Sequence, residues 1–469
     1  MAAKHHFGRL RVCPKSTADS FVVGNQRLGC SSWKGHLRYT VKVMSTLKAV
    51  RGTRDLLPPE TALWNHIEKT ARHVFTRYNF GEIRTPIFED TALFARGVGE
   101  ETDIVSKEMY TWEDKARAQS EKTQMLTLRP ENTAGVVRAY IEHGLGESGQ
   151  LQKLYYVGPQ FRRERPQKGR YRQFSQIGAE VIGPPSAGSE SPLRDAEVLE
   201  MLASLLDELG ITGWTLELNS VGSSADRARY NETLRAALVP VVGQMCVDCQ
   251  RRAVTNPLRV LDCKVPADQP IIETLPVIAD SLDEASKAHF AAVTAALDSA
   301  GVPYTRNHRL VRGLDYYTRT TFEFTHGGLG AQNALLGGGR YDGLSEAIGG
   351  PKAPGIGFAM GEDRLVLTLL ALEAAAPEKA HAYIAPLGEG LNPAALALAR
   401  DLRRQGLRVE LGEGSFRLKK SFEIAEKTAR RIVILGEDEL QSGILTVKTF
   451  ATGMQTKVDR VELAAYLSQ

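Results

Sequence analysis

The spacing of apolar residues along this chain changes several times, and each change marks an element. Leu63, Ile67, Ala71 and Phe75 recur at helical spacing after a loop at 51–60 that carries Pro58 and Pro59. That pattern predicts an amphipathic helix entered through proline. The stretch 82–89 reads as a strand, but Pro86 within it lacks the N–H of an interior ladder, which assigns it to an edge or an interface. Two more strands are predicted at 154–157 and 174–182, joined as a hairpin. Along the second, Gln176, Gly178 and Glu180 share one face because side chains alternate. A Pro/Gly/Ser loop at 184–192 leads to a helix at 195–209 and a strand at 216–218.

From 224 to 303 the strand signals fade. Leu282, Ala285, Phe290, Val293 and Leu297 fall along one helical face, and the segment reads as a helical insertion. Beyond a linker at 373–381 the texture alternates: strand 381–386, helix 394–405, strand 407–411, helix 418–429, strand 431–435. This rhythm implies a small, mostly parallel sheet with crossover helices. The chain thus divides into 47–223, the insertion 224–303, a continuation of the first unit at 304–375, and a C-terminal α/β unit at 379–469. The expected class is α+β: a mostly antiparallel sheet flanked by helices, interrupted by a helical insertion and followed by the α/β unit.

Length agrees, since 469 residues exceed what one core usually supports. An apolar share of 42% and a charged share of 24% are ordinary for a globular chain, and no run of about 20 apolar residues exists to span a membrane. The net charge of +4 misleads, because residues 1–50 hold nine Lys/Arg against Asp19 alone and so leave −4 for the rest. Any nucleic-acid contact must therefore use local patches. Residues 1–46 read as an N-terminal extension from an early start, with Met44 a natural beginning for the folded chain. Their basic, acid-poor composition is also that of a transit peptide. The expected location is cytoplasmic, or organellar if that segment is a working leader. Cys246, Cys249 and Cys263 form a Cys-x2-Cys pair with a third thiol downstream. Zinc asks for four ligands, no nearby His or Cys completes the set, and Asp248 and Asp262 are poor substitutes. The reading is reduced thiols and no metal.

The densest chemistry lies at 161–174, where Arg162, Arg163, Arg165, Lys168, Arg170 and Arg172 crowd the turn of the predicted hairpin around Pro166 and Gly169. Guanidinium forks offer several donors in a plane and keep their charge, which suits phosphate. Tyr171 and Phe174 distinguish the run from a merely solvated face.

This segment strongly resembles motif 2 of class II aminoacyl-tRNA synthetases, in the form seen in the histidyl family. Leu-Val-Arg-Gly-Leu-Asp-Tyr-Tyr at 310–317 and Leu-Gly-Gly-Gly-Arg-Tyr-Asp-Gly-Leu at 336–344 resemble that family's two histidine signatures. The stretch 355–364, ending in Arg364, is similar to motif 3, and the segment around Pro86 to motif 1, which builds the dimer interface. The resemblance implies a ligase that activates L-histidine with ATP and passes it to tRNA(His). Arg162 would meet the α-phosphate and Arg364 the γ end of ATP, with Glu164 near the adenine or ribose and Arg170 at the terminal phosphates. Arg312 would supply a cation beside the reacting carboxylate and α-phosphate, and Mg²⁺ would bridge the outer phosphates. Glu180 and Tyr317 would hold the imidazole. Gln176, Glu131 and Thr133 would hold the α-amino group, with Asn132, Arg162, Arg312 and Tyr316 completing the histidine site.

Tyr341 is placed at the same pocket, Gly178 is expected to leave room over the sheet, and Gly337, Gly338 and Gly339 to let backbone approach substrate. The 379–469 unit resembles the anticodon-binding domain, with Arg417, Lys419, Lys420, Lys427, Arg430 and Arg431 as its basic stripe. Expected partners are tRNA(His), histidine, ATP and a second copy of the chain, with no membrane. Two alternatives share parts of this pattern. A catalytically silent regulatory subunit of ATP phosphoribosyltransferase typically lacks the C-terminal module and keeps eroded signatures. A histidine- or RNA-binding module of a stress-sensing protein would carry a kinase portion, which is absent.

Overall fold

The structure is a computed structural model and describes residues 47–99, 102–115, 123–167, 169–311, 314–329, 333–372 and 379–469. The extension 1–46, linker residues 373–378 and Arg312 lie outside them.

An eight-stranded sheet organises the larger part of the molecule. Its strands run Gly81–Glu82, Gln152–Phe161, Gln173–Ile182, Gly355–Gly361, Ala334–Arg340, Thr318–His326, Trp214–Ser220 and Thr305–Arg306. The two-residue edge strands pair in parallel, and every inner ladder is antiparallel. Strand parity assigns the faces. Ile177, Ala179, Val181, Phe322, Phe324, Ile356, Phe358 and Met360 point into one large core. Helices Glu60–Arg77, Pro192–Glu208, Glu284–Ala300 and Glu362–Ala371 cover that face. The first buries Leu63, Trp64, Ile67, Ala71, Val74 and Phe75, a wide apolar stripe at the predicted spacing. The alternate residues, among them Gln176, Gly178 and Glu180, belong to the opposite face.

A fully buried ion pair pins one covering helix to the sheet. Arg340 donates to Asp195 at 2.7 and 3.0 Å, to Asp342 at 2.7 Å and to the Ser189 carbonyl at 2.8 Å. Asp195 also accepts from Thr320 at 2.6 Å, so the buried charges are paired and hydrogen-bonded.

Two expectations need revision. Pro86 does not sit within one strand; it separates Gly81–Glu82 on the large sheet from Phe88–Asp90 on a three-stranded sheet completed by Gln124–Leu128 and Tyr110–Asp114. The missing N–H ends the ladder, and the Thr85 and Pro86 carbonyls accept from the Arg129 guanidinium instead. Helix Glu284–Ala300, read with the insertion, buries Ser286, His289, Val293 and Leu297, and Val293 and Leu297 join the core of the large sheet. The inserted helices Ser224–Leu238, Val247–Thr255 and Gln269–Glu273 instead enclose a second core with Tyr230, Leu234, Cys249, Val260 and Ile272.

In the C-terminal sheet, Val409–Leu411, Ala382–Pro386 and Arg431–Leu435 are parallel as expected. Ile444–Thr449 and Gln455–Asp459 add an antiparallel hairpin that the sequence reading passed over. Its turn places Gly453 at φ 72°, a conformation that favours glycine. No helix among the described residues is long and apolar enough to cross a membrane.

Candidate functional site

On the face of the large sheet opposite its helices lies a cavity of about 880 Å³. Glu131, Thr133, Arg162, Glu164, Arg170, Gln176, Tyr316, Tyr317, Tyr341 and Arg364 all line it, so segments more than two hundred residues apart meet in one place. Arg312 lies outside the described residues, although Val311 and Leu314 on either side of that gap line the same cavity.

The cationic part is built by the hairpin loop. Strands Gln152–Phe161 and Gln173–Ile182 pair in continuous register as far as Phe161 opposite Gln173. Arg162 is the next residue, and its N–H donates to the Arg172 carbonyl at 2.9 Å. Its guanidinium donates Nε–H to the Pro130 carbonyl at 2.9 Å and lies 5.3 Å from the Phe174 ring centroid. Two unrelated segments therefore fix that fork before any ligand arrives. Arg170 is paired with Glu164 at 3.1 Å. The loop tip at Gly169 adopts φ 76°, and a Cβ there would press on Leu367 at 3.1 Å. That contact lays the loop against helix Glu362–Ala371, which carries Arg364. Arg364 in turn donates to the Ala334 carbonyl at 2.6 Å. Glu108 stands beside this group; burial, and then the charge of Glu164, raise its carboxyl above the usual range.

The acidic part is more deeply buried. Glu131 accepts from the N–H groups of Thr133 at 2.7 Å and Ala134 at 3.0 Å, at the start of helix Thr133–Glu142. Burial still pushes its carboxyl upward, against those donors. Glu180 is fully buried and accepts from Thr133 Oγ1 and the Tyr341 hydroxyl at 2.7 Å each, and from the Tyr156 hydroxyl at 3.4 Å. Burial raises it to about 8, the hydroxyl donors working the other way. The Tyr156, Tyr316 and Tyr341 hydroxyls are held well above their ordinary range, chiefly by burial. A Cβ on Gly357, which pairs with Glu180 across the sheet, would collide with this carboxylate. Glycine at 357 thus makes room for the acid.

Some expected residues fall elsewhere. Asn132 is buried but turns away from the cavity: its Oδ1 accepts from the Thr85 hydroxyl at 2.6 Å, and it bolsters the Arg129–Thr85 loop contact. The space over Gly178 is filled by Tyr156, its cross-strand partner, whose ring a Cβ at 178 would strike. Tyr156 lines the cavity and touches Glu180, and sequence reasoning missed it because only register identifies what stands opposite a glycine. In the glycine run, Gly337 lines the cavity, but the missing Cβ atoms of Gly338 and Gly339 make way for Phe322 and Tyr317.

Five of the six basic-stripe residues are exposed: Arg417, Lys419, Lys420, Lys427 and Arg430. Arg431 is turned inward, donating to the Leu467 carbonyl at 2.9 Å and lying over the Tyr466 ring.

The chain was also compared with known proteins. Residues 52–365 match the family model for histidyl-tRNA synthetase, and residues 381–469 match an anticodon binding domain. The histidine–tRNA ligase of Koribacter versatilis (strain Ellin345) is 74% identical over 422 residues, covering 90% of this chain and 96% of that protein. That of Solibacter usitatus (strain Ellin6076) is 56% identical over 423 residues, covering 90% and 99%. The crystal structure of apo S. aureus histidyl-tRNA synthetase superposes with a TM-score of 0.71 at 38% identity, covering 90% of this chain and all of that one. An acid-floored, arginine-rimmed cavity on an antiparallel sheet, a family match over most of the chain and relatives of this identity together make the chain a member of the histidyl-tRNA synthetase family.

Proposed function

We propose that this protein is a histidine–tRNA ligase, forming histidyl-adenylate from L-histidine and ATP with release of pyrophosphate and then transferring histidine to the 3′ end of tRNA(His). The observation that carries the reading is the meeting, in one cavity, of the buried Glu180 network with the cationic group of Arg162, Arg170 and Arg364. An imidazole needs an acceptor for its N–H, and Glu180 with Tyr317 supplies a polar end. Glu131, Thr133 and Gln176 suit an α-ammonium, the buried Gln176 Oε1 having no partner within the protein. Attack of the histidine carboxylate on the α-phosphate develops negative charge there, and a guanidinium already fixed by Pro130 and Phe174 stabilises it without reorganisation. Arg312, by its place in the first histidine signature, is assigned to the same charge.

Mg²⁺ binds through one or two carboxylates together with substrate phosphates. Glu108 and Glu164 line the cavity beside Arg162 and Arg170 and would supply such carboxylates. When bound, the ion would neutralise the outer phosphates. The exposed basic stripe on 417–430 suits an RNA backbone. The regulatory-subunit alternative gains no support, as both histidine signatures are complete and a C-terminal unit is present.

The purified protein is expected to catalyse ATP–pyrophosphate exchange only when histidine is present, and to charge tRNA(His). Exchange that ignores histidine, or none at all in folded protein, rejects the reading.

Assembly as a homodimer is part of the proposal. Ile87, Phe88, Trp112 and Met125 are exposed around the three-stranded sheet, with the Phe88 and Trp112 rings 6.1 Å apart. By register Phe88 and Trp112 share one face with the half-buried Leu126 and Leu128, while Met125 is on the other, and such an exposed aromatic pair favours burial against a partner. Sedimentation is expected to give a dimer that Phe88→Asp weakens by at least about tenfold, as an unpaired buried charge would. A parent that sediments as an active monomer at assay concentration overturns it.

A further inference from the structure

The three thiols of the insertion are not dispersed through its core; they face one another. Cys246 precedes helix Val247–Thr255, Cys249 lies in its first turn, and Cys263 and Asp268 return from the following loop. Their four ligand atoms all lie within 4.8 Å of one another, and three of the residues are buried. Asp268 is the fourth member that sequence spacing did not supply, while Asp248 and Asp262 stay outside the group.

We propose that Cys246, Cys249, Cys263 and Asp268 form a structural zinc site that staples the inserted helical module. Zinc bound to sulfur at about 2.3 Å in a tetrahedron requires sulfur atoms about 3.8 Å apart; Cys246 Sγ and Cys263 Sγ are 3.9 Å apart. Asp268 Oδ2 stands 3.3 Å from Cys263 Sγ, close to the shorter sulfur–oxygen edge. The surroundings resemble an outer shell. The Cys246 N–H donates to Asp268 Oδ1 at 3.1 Å, and the Val265 N–H to Cys263 Sγ at 3.4 Å. Asp268 is 1% exposed, and among the described residues no lysine or arginine pairs with it, so a divalent ion would provide the countercharge. All three cysteines are free thiols. Binding would therefore displace three protons as the thiolates form. Three soft ligands and one carboxylate select zinc over magnesium or calcium, and four protein ligands leave no open position for catalysis.

The staple bears on the main site. Arg259, Leu261, Asp262, Cys263 and Lys264, on the loop it would close, line the large cavity.

The test is metal analysis of the full-length protein, purified under reducing conditions without chelator or polyhistidine tag. About one zinc per chain is expected, falling below about a tenth in Cys249→Ser and Cys263→Ser and unchanged in a Cys13→Ser/Cys30→Ser variant. Cobalt exchanged into the parent should show thiolate charge-transfer and tetrahedral d–d absorption. Asp268→Asn should weaken zinc retention against a chromogenic chelator and alter the cobalt bands. Because serine variants can misfold, thiol labelling of the parent gives a second reading: three thiols protected until chelator is added, then released together with the metal. Reduced, folded protein that neither contains zinc nor takes up one equivalent at micromolar concentration overturns the site. Unchanged zinc retention in Asp268→Asn overturns the four-ligand assignment.

Discussion

Replacing Arg162 with alanine is expected to slow adenylate formation by about 10²–10³, roughly 3–4 kcal/mol of transition-state stabilisation, with much smaller changes in either KM. The guanidinium is held by the Pro130 carbonyl and the Phe174 ring in the free protein, so in the proposed reaction it would meet the developing charge already oriented. Such an interaction strengthens as the α-phosphate gains charge, and its loss therefore falls on kcat. Arg162→Lys is expected to restore only part of the rate. An ammonium on a flexible stem can neither stack on Phe174 as a plane nor hold Pro130 while pointing a second donor at phosphate. Single-turnover pyrophosphate release is the measurement. A folded Arg162→Ala protein that forms adenylate at the parental rate removes Arg162 from the chemistry.

Much of this site was legible in the sequence because each of its parts is local. The arginine-rich turn, the glycine run at 337–339 and the Arg364 segment each announce themselves within ten residues or so, and their order along the chain carries the family resemblance. Parity along a strand is equally local, which is why Gln176 and Glu180 could be put on one face. What the sequence could not supply was partnership between strands. Tyr156 stands opposite Gly178 and Gly357 opposite Glu180 because of register, which the whole sheet settles jointly.

Periodicity had the same limit in helix Glu284–Ala300. It identified the helix but not which of two cores would receive it, and His289 and Ser286 take buried places that an apolar count assigns to Ala285 and Phe290. Asp268 illustrates the point for side-chain clusters. It is an unremarked acid in sequence and becomes the neighbour of three thiols only when the loop folds back. Pro86 erred in the other direction, its missing N–H dividing a predicted strand between two sheets.

The second large effect is expected at Glu180. Glu180→Gln keeps the size of the side chain and leaves an acceptor for Thr133 or Tyr341, but removes the charge that an imidazole N–H would meet. A hydrogen bond to a charged group contributes roughly 1.5–3 kcal/mol, so the KM for histidine should rise about 10- to 100-fold while the KM for ATP changes by less than about threefold. The pH dependence should separate a binding role from a structural one. Burial raises the Glu180 carboxyl to about 8, above its unfolded value. Its stabilising contribution is then fully present below that unfolded value and is lost as pH rises through about 8.

In the free protein the acid is mostly protonated near neutrality, and the proton must leave when an imidazole donates to it. Between about 6.5, where free imidazole becomes neutral, and 8, the KM for histidine should therefore fall with rising pH and then level off. Glutamine has no proton to lose, so Glu180→Gln should show no such slope, and its melting temperature should gain on the parent as pH rises from the ordinary carboxyl range to about 8 and gain no further above it. A variant that keeps the parental slope, or whose ATP KM rises more than its histidine KM, takes Glu180 out of the amino-acid pocket.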